Sequence, residues 1–269
     1  MSDLSAEAIA AALDRLGASV GRPLVVTAET GSTNDDARAA AGAGAPHGAA
    51  FVTDAQRQGR GRGGHTWHSP AGENVYLSMV ARPRVGAATI APITLAVGVA
   101  IARVMEARLG DRAPVWLKWP NDVLAGPPAE KRKLAGVLVE GQLRGNEVAS
   151  LVIGAGVNVR ATAFPAELRA RATSLALLGA AELDRSVLAA ELLAGIGAAV
   201  ARFQDDRLAS FLPDLARLDA LRGALVEIAG LRGEAAGIDA EGRLLVRGED
   251  GGITPVVTGE VRLLGERAG

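Results

Sequence analysis

Gln56-Arg57-Gln58-Gly59-Arg60-Gly61-Arg62-Gly63-Gly64-His65-Thr66-Trp67 holds four glycines and three arginines and closes on a tryptophan. Little in it can pack a core, yet apolar runs at 48–53 and 74–80 flank it and read as strands. A loop of this kind costs ordering entropy and is kept because it closes on something. The arginines make that something anionic. Gly59 and Gly64 have the spacing of a phosphate loop, but His65-Thr66 stands where Lys-Ser/Thr is required, which excludes a P-loop NTPase. Backbone amides with Arg60 and Arg62 could still hold phosphates in another fold. A disordered RNA tether is disfavoured, because the segment is short and lies inside an apolar domain.

Four further stretches carry polar groups at strand ends. In 29–36, Ser32 and Asp35 fit a capping box opening a helix over 35–41, and Ser32-Thr33-Asn34 also offers short polar groups to a ligand head. In 115–122, Pro120 stops a strand and Asn121-Asp122 make a turn. Lys118 lies in that strand between Trp116 and Trp119 and needs a partner, for which Asp122 is the near candidate. Lys133 begins the strand 133–140, where a side chain reaches either a cleft or solvent. In 150–159, Gly154-x-Gly156 lacks the third glycine and the following helix of a dinucleotide site. Its small residues leave room for a ligand against the strand, with Asn158 as a hydrogen bonder.

These groups need a scaffold, and the 269 residues suffice for one large domain and one small one. The formal net charge of -1 argues against bulk nucleic-acid binding. The chain has no cysteine, which removes disulfides, thiolate metal sites and a cysteine nucleophile. Its start has no signal-peptide pattern. The apolar stretch 90–105 is shorter than the ~20 residues of a membrane span and contains Arg103. A soluble cytoplasmic protein is expected, with no membrane partner.

Periodicity predicts helices over 3–17, 86–109, 186–203 and 208–218, and a short helix capped at 173–175. Strands are expected at 24–28, 48–55, 74–82, 133–140 and 150–159. One N-terminal helix followed so soon by Pro23 leaves no helix-turn-helix before the first strand. From Gly223 the texture changes to short strands at 224–228, 232–239, 243–248 and 255–258, divided by glycine turns. This reads as a small β domain of SH3 size, so the expected division is 1–220 and 221–269.

Taken in order, Ser32-Thr33-Asn34, the stretch 56–64 with Trp67-His68-Ser69-Pro70, Lys118-Trp119-Pro120-Asn121-Asp122, Lys133-Leu134-Ala135-Gly136 and Gly154-Ala155-Gly156-Val157-Asn158 resemble biotin–protein ligases. Each motif alone is weak; the ordered set is specific and spans about 22–265. Without an N-terminal DNA-binding domain it is similar to the monofunctional class, biotin--[acetyl-CoA carboxylase] ligase. The resemblance implies an α+β fold: a catalytic domain like that of class II aminoacyl-tRNA synthetases, with a mixed, mainly antiparallel sheet and helices, plus a C-terminal SH3-like β-barrel. It implies that ATP with Mg²⁺ activates biotin to biotinyl-5′-AMP. The biotinyl group then passes to a lysine of a biotin carboxyl carrier protein.

By the same resemblance, Arg60, Arg62, Lys118 and Lys133 are catalytic, since a carboxylate meeting a polyphosphate needs cations on both. Biotin is expected at Ser32, Thr33, Asn34, Gln56, Gly59, Arg60, Gly61, Arg62, Lys133, Gly136, Gly154 and Gly156. The nucleotide is expected at Arg60, Arg62, Trp67, Asn121, Asp122, Lys133 and Asn158, with Asp122 toward Mg²⁺. Two departures stand out: Gly63-Gly64-His65 replaces further basic residues, and an arginine that some relatives aim at ATP is replaced near Leu264, with Arg262 close by. A lipoate–protein ligase would lack the Gly-Arg-Gly-Arg loop paired with Lys-Trp-Pro-Asn-Asp. A non-catalytic binder would not need both Lys118 and Lys133. Pairing of two copies through a sheet edge stays open.

Overall fold

Val75–Ala81 (β3) is buried at all seven positions, so this strand must be covered on both faces. It lies third in a seven-stranded sheet. The other strands are Leu24–Thr30 (β1), Ala50–Gln56 (β2), Val115–Lys118 (β4), Asp122–Ala125 (β5), Arg132–Arg144 (β6) and Glu147–Val157 (β7), in the order β1-β2-β3-β7-β6-β5-β4. Only β1 and β2 run parallel; every other neighbouring pair is antiparallel. The computed structural model describes residues 3–180 and 183–264.

Alternation along β3 sorts the two faces. Val75, Leu77, Met79 and Ala81 join the main core, beneath the helices Ala6–Arg15 (α1), Ile93–Leu109 (α3) and Arg185–Asp206 (α5). Tyr76, Ser78 and Val80 face the other way. There Thr33–Gly42 (α2) covers the sheet through a small cluster of Ala37, Ala41, Val80 and Val152. The uncovered part of that second face holds the polar stretches singled out above. α5 is long and apolar enough to cross a membrane by length and composition alone, but Leu188, Leu192, Leu193, Ile196 and Phe203 bury it within the core.

Ala166–Arg169 (α4) and Leu212–Leu218 (α6) complete the helices. The second sheet follows: Leu225–Ile228 (β8), Leu231–Ile238 (β9), Leu244–Arg247 (β10), Ile253–Val256 (β11) and Arg262–Leu263 (β12), antiparallel throughout in the order β11-β10-β9-β8-β12. The change of texture after residue 220 therefore coincides with a new sheet. Trp119 binds it to the first sheet: its buried indole donates to Gly242 O at 2.9 Å. Gly242 has φ +75°, and a Cβ there would approach Pro92 Cβ to 2.9 Å, so the turn admits little but glycine.

Several expected elements differ. α3 begins only at Ile93, after a separate 3₁₀ turn at Ala87–Thr89; Pro92 has no N–H to bond inside a helix and stands before it instead. α2 starts at Thr33 with Ser32 in the capping position, but the Ser32 side chain makes no capping bond. The box fails because Asp35 is engaged elsewhere, by Arg38 and Arg60. The 173–175 segment caps a turn and not a helix, with Ser174 Oγ accepting from Leu177 N at 3.1 Å. Residues 208–218 divide into a 3₁₀ turn, Ala209–Phe211, and α6, because Pro213 restarts the helix in its first turn.

Asp219 sits where the chain leaves the first layer for the second. Its Oδ1 accepts from Leu221 N at 2.9 Å, while Oδ2 is buried without a hydrogen-bond partner among the described residues. Burial, the leading cause, pushes its carboxyl above the usual carboxylate range against the pull of Arg222 and Lys131. A carboxyl raised in the folded state contributes stability below its unfolded value that is lost as pH rises through the folded one. Asp219→Asn should therefore melt higher than the parent at pH 7. The advantage should vanish near pH 3.5, below the ordinary carboxylate value. Thermal unfolding followed by circular dichroism at both pH values checks this.

Candidate functional site

The floor of the site is bare backbone. Gly136 on β6 and Gly156 on β7 are register partners, and Gly154 lies two residues before Gly156 on the same face. Each is glycine because something rests on it. A Cβ at Gly136 would come within 2.9 Å of the Trp67 ring and 3.2 Å of Lys133 Cε. At Gly156 it would collide with Trp67 Nε1, and at Gly154 with Asn34 Oδ1.

One wall is the start of α2. Ser32, Thr33 and Asn34 are all buried, so their polar atoms must be satisfied from within. Thr33 N donates to Gln56 Oε1 at 3.0 Å, and Gln56 Nε2 donates to Ser69 Oγ at 2.9 Å. Asn34 Nδ2 donates to Glu140 Oε2 at 2.7 Å, and Ser78 Oγ lies 2.6 Å from Asn34 Oδ1. Thr33, Asn34, Gln56 and Ser78, whose Oγ also lies 2.8 Å from Thr33 Oγ1, thus form one network across α2, β2 and β3, with buried Ser32 beside it.

The glycine-arginine loop lies over this floor as a small hairpin. Gly61 N donates to His65 O at 2.7 Å and Trp67 N to Gly59 O at 2.9 Å, with Gly63 and Gly64 at φ +67° and +80° making the tip. The two arginines are held differently. Arg60 Nη2 donates to Asp35 Oδ1 at 2.8 Å and to Glu140 Oε2 at 3.1 Å, so its charge is matched by two carboxylates. Arg62 donates to neutral acceptors, Gly259 O at 2.9 Å and Thr258 Oγ1 at 2.7 Å. Among the described residues it has no carboxylate partner, and its charge stays available to an anion.

Lys133 closes the far end. Its Nζ lies 2.6 Å from Asp122 Oδ1 and 5.1 Å from the Trp67 ring centroid, a cation over an aromatic face. Asn121 Nδ2 donates to Val137 O at 3.0 Å and fixes the turn before β5. Ser32, Thr33, Asn34, Gln56, Arg60, Gly61, Arg62, Trp67, Asn121, Lys133, Gly136, Gly154 and Gly156 thus share one cavity. Its volume is about 40 Å³, against the ~300 Å³ or more of a small-molecule site. Trp67 fills the rest. Its Nε1 and the Nε of Arg60 are buried donors with no hydrogen-bond partner among the described residues, a cost that an acceptor on a ligand would remove.

Four of the candidate residues do not line the cavity. Lys118 is the Cα partner of Asp122, but Asp122 pairs with Lys133, so the expected Lys118–Asp122 ion pair does not form. Asn158 is 5% exposed, and its amide donates to Thr173 O at 2.9 Å and Lys133 O at 3.4 Å, which anchors the start of β6. Gly59 lies at the base of the hairpin, where a Cβ would be 2.5 Å from Trp67 O. Asp122 reaches the site only through Lys133. Glu140, Ser78 and Thr258 complete the site without having been singled out by sequence; Asp35 reads there only as part of a capping box, and Ser69 only within the motif 67–70. Glu140 had a readable signal, a charge ending an apolar strand; Thr258 had none, being 196 residues from Arg62.

A magnesium ion prefers six oxygens at near-octahedral geometry. Among the described residues no three Asp, Glu or His side chains cluster, and the Asp122 carboxylate is spent on Lys133. The residues present do not build a metal cage.

Residues 34–158 match the model of the biotin/lipoate A/B protein ligase family, and 227–264 that of the biotin protein ligase C-terminal domain. The biotin--[acetyl-CoA-carboxylase] ligase of Mycobacterium tuberculosis is 35% identical over 251 residues, 90% of each chain. The bifunctional ligase/repressor BirA of Escherichia coli is 34% identical over 220 residues, 80% of this chain and 66% of that one, just under two thirds of its length. Among solved structures, the biotin protein ligase of Aquifex aeolicus in complex with biotin and ATP superposes with a TM-score of 0.75 at 27% identity, covering 89% of this chain and 97% of that one.

The bare floor gives a direct test. In Gly156→Ala the new methyl cannot coexist with the indole, so Trp67 leaves the floor for water. Tryptophan fluorescence should shift to the red while far-UV circular dichroism is unchanged, and stability should fall by about 1–3 kcal/mol if the strand yields instead of the ring.

Proposed function

The chain belongs to the biotin/lipoate A/B protein ligase family, and we propose that it is a biotin–protein ligase acting on a biotin carboxyl carrier domain. The observation that carries this is the meeting of a lysine, a free-charged arginine and a side-chain-free floor under a loop that closes over them. In the first step a biotin carboxylate oxygen attacks the α-phosphorus of ATP, the bond to the β-phosphate bridge breaks, and pyrophosphate leaves. Two anions must approach, and the barrier falls when fixed cations meet the charge. Lys133 supplies one at the carboxylate and α-phosphate, where the incoming anions draw its Nζ away from Asp122, 2.6 Å distant. Arg62, which has no carboxylate partner among the described residues, supplies another from the loop. Mg²⁺ comes with the nucleotide, on the phosphates of MgATP, since the described residues offer no cage for it.

Ser32, Thr33, Asn34 and Gln56 present both donors and acceptors, which suits the ureido ring of biotin. Gly136, Gly154 and Gly156 let the bicycle lie against backbone. Arg60, fixed between Asp35 and Glu140, positions the loop and offers its Nε–H to the ligand. Trp67 must lift from the floor to admit substrate, and its ring then serves as a flat cover for adenine. Asn121 and Asp122 shape the turn that aims Lys133. In the second step the amine of the carrier lysine attacks the acyl carbon of biotinyl-5′-AMP. An amide forms, AMP leaves, and the amine loses its proton to solvent or phosphate. The closed loop excludes water from the acyl-adenylate meanwhile.

Pyrophosphate release with MgATP and either biotin or lipoate, in the absence of acceptor, tests the reading. Release with biotin alone is expected; release with lipoate alone would keep the chemistry and change the substrate, and none with either would end the proposal. Lys133→Met keeps the stem of the side chain and removes its charge. It should slow biotin-dependent pyrophosphate release by about a hundredfold or more with unchanged circular dichroism.

A further inference from the structure

The second sheet reaches the site at one point. The chain between β11 and β12 turns at Thr258 and Gly259 and meets Arg62 of the loop, whose guanidinium donates to Thr258 Oγ1 at 2.7 Å and to Gly259 O at 2.9 Å. The two acceptors lie side by side and fit the fork of one guanidinium. Gly259 has φ +150°, and a Cβ there would come within 2.7 Å of Ile228 on β8, so the turn is fixed by its own sheet. The Arg62 guanidinium is therefore held by a rigid neighbour and not by its own hairpin, whose tip, Gly63-Gly64, contributes no side chain.

The pairing is also electrically apt. Arg60 is fixed by carboxylates, which offset its field. A carboxylate at residue 258 would fix Arg62 equally well and cancel the charge that the site needs. A hydroxyl and a carbonyl orient the guanidinium and leave the charge intact.

We propose that Thr258 is a positioning residue: with Gly259 O it latches the loop through Arg62, so the C-terminal sheet sets how long the loop stays closed. The functional half of this rests on the ligase reading; the structural half does not. Thr258 is not among the residues that line the cavity, and Val257 and Thr258 are exposed, so substitution leaves the core intact.

The test compares the full-length chain with Thr258→Val, which is isosteric but cannot accept, and Thr258→Ser, which keeps the hydroxyl. Hydrogen exchange of the ligand-free protein reports loop closure through the amides of Gly61 and Trp67, which bond inside the hairpin. Thr258→Val should speed their exchange about fivefold to tenfold, as loss of a charge-assisted bond at a partly exposed site allows, and Thr258→Ser should stay within about twofold of the parent. Equal protection in all three overturns the latch, as does equal loss in both variants. Given biotin and MgATP, Thr258→Val should shorten the lifetime of bound adenylate, read by chase with unlabelled biotin, by a similar factor. Faster exchange with an unchanged lifetime overturns the functional half. If the parent makes no adenylate, the ligase reading falls while the exchange result still decides the latch.

Discussion

A strip of backbone without side chains governs this molecule. Gly136 and Gly156 face each other across β6 and β7, and Gly154 extends the strip toward α2. Glycine inside a strand weakens it, because it packs nothing and loses more entropy on ordering. The sheet supports the strip because both strands are long and central, with β3 and β5 paired on either side. Its other face is filled by Ala135, Val137, Ile153, Ala155 and Val157 in the main core. The same two strands are thus dense below and bare above, which alternation makes possible without a break in register.

Everything above the strip follows from the need to cover it. The polar groups of this strip are already paired in the ladder, so a flat apolar ring can lie on it: Trp67 rests on the glycines, with Lys133 over its ring. The indole leaves its own Nε1 without an acceptor among the described residues. A cover that strands a buried donor is weaker than one that satisfies it by about 1–3 kcal/mol, so it yields to a ligand that brings an acceptor. The loop entropy is met at two anchors, Arg60 on α2 and β6 and Arg62 on the second sheet.

The parts legible in the sequence were those whose residue type is unusual for its place. Arginines set among glycines, a lysine opening an apolar strand and Gly154-x-Gly156 are such residues, and the fold brings Arg60, Gly61, Arg62, Lys133, Gly154 and Gly156 to one cavity. Element boundaries were less legible where a proline decided them, as Pro92 does for α3 and Pro213 for α6. The partners were least legible. Lys118 and Asp122 are opposite each other in the hairpin, and only the third strand, which brings Lys133 to Asp122, shows which lysine takes the carboxylate. Asn158 read as a ligand group because it follows the glycines, yet the strand ends at Val157 and turns its amide inward to backbone. Such choices are made by tertiary contacts that no local pattern encodes.

The two arginines of the loop show how one residue type serves opposite ends. Between carboxylates, a guanidinium is a structural rivet: its position is fixed, and its field beyond the first few ångströms is small because the charges cancel. Between a hydroxyl and a carbonyl, it is equally fixed but keeps its field. The second arrangement leaves more of the charge for an anion, and around this loop it is built from outside the hairpin, since α2 and β6 offer Asp35 and Glu140. A separate sheet that brings a neutral turn to Arg62 answers that constraint, which gives the C-terminal β layer a reason to be attached to this site.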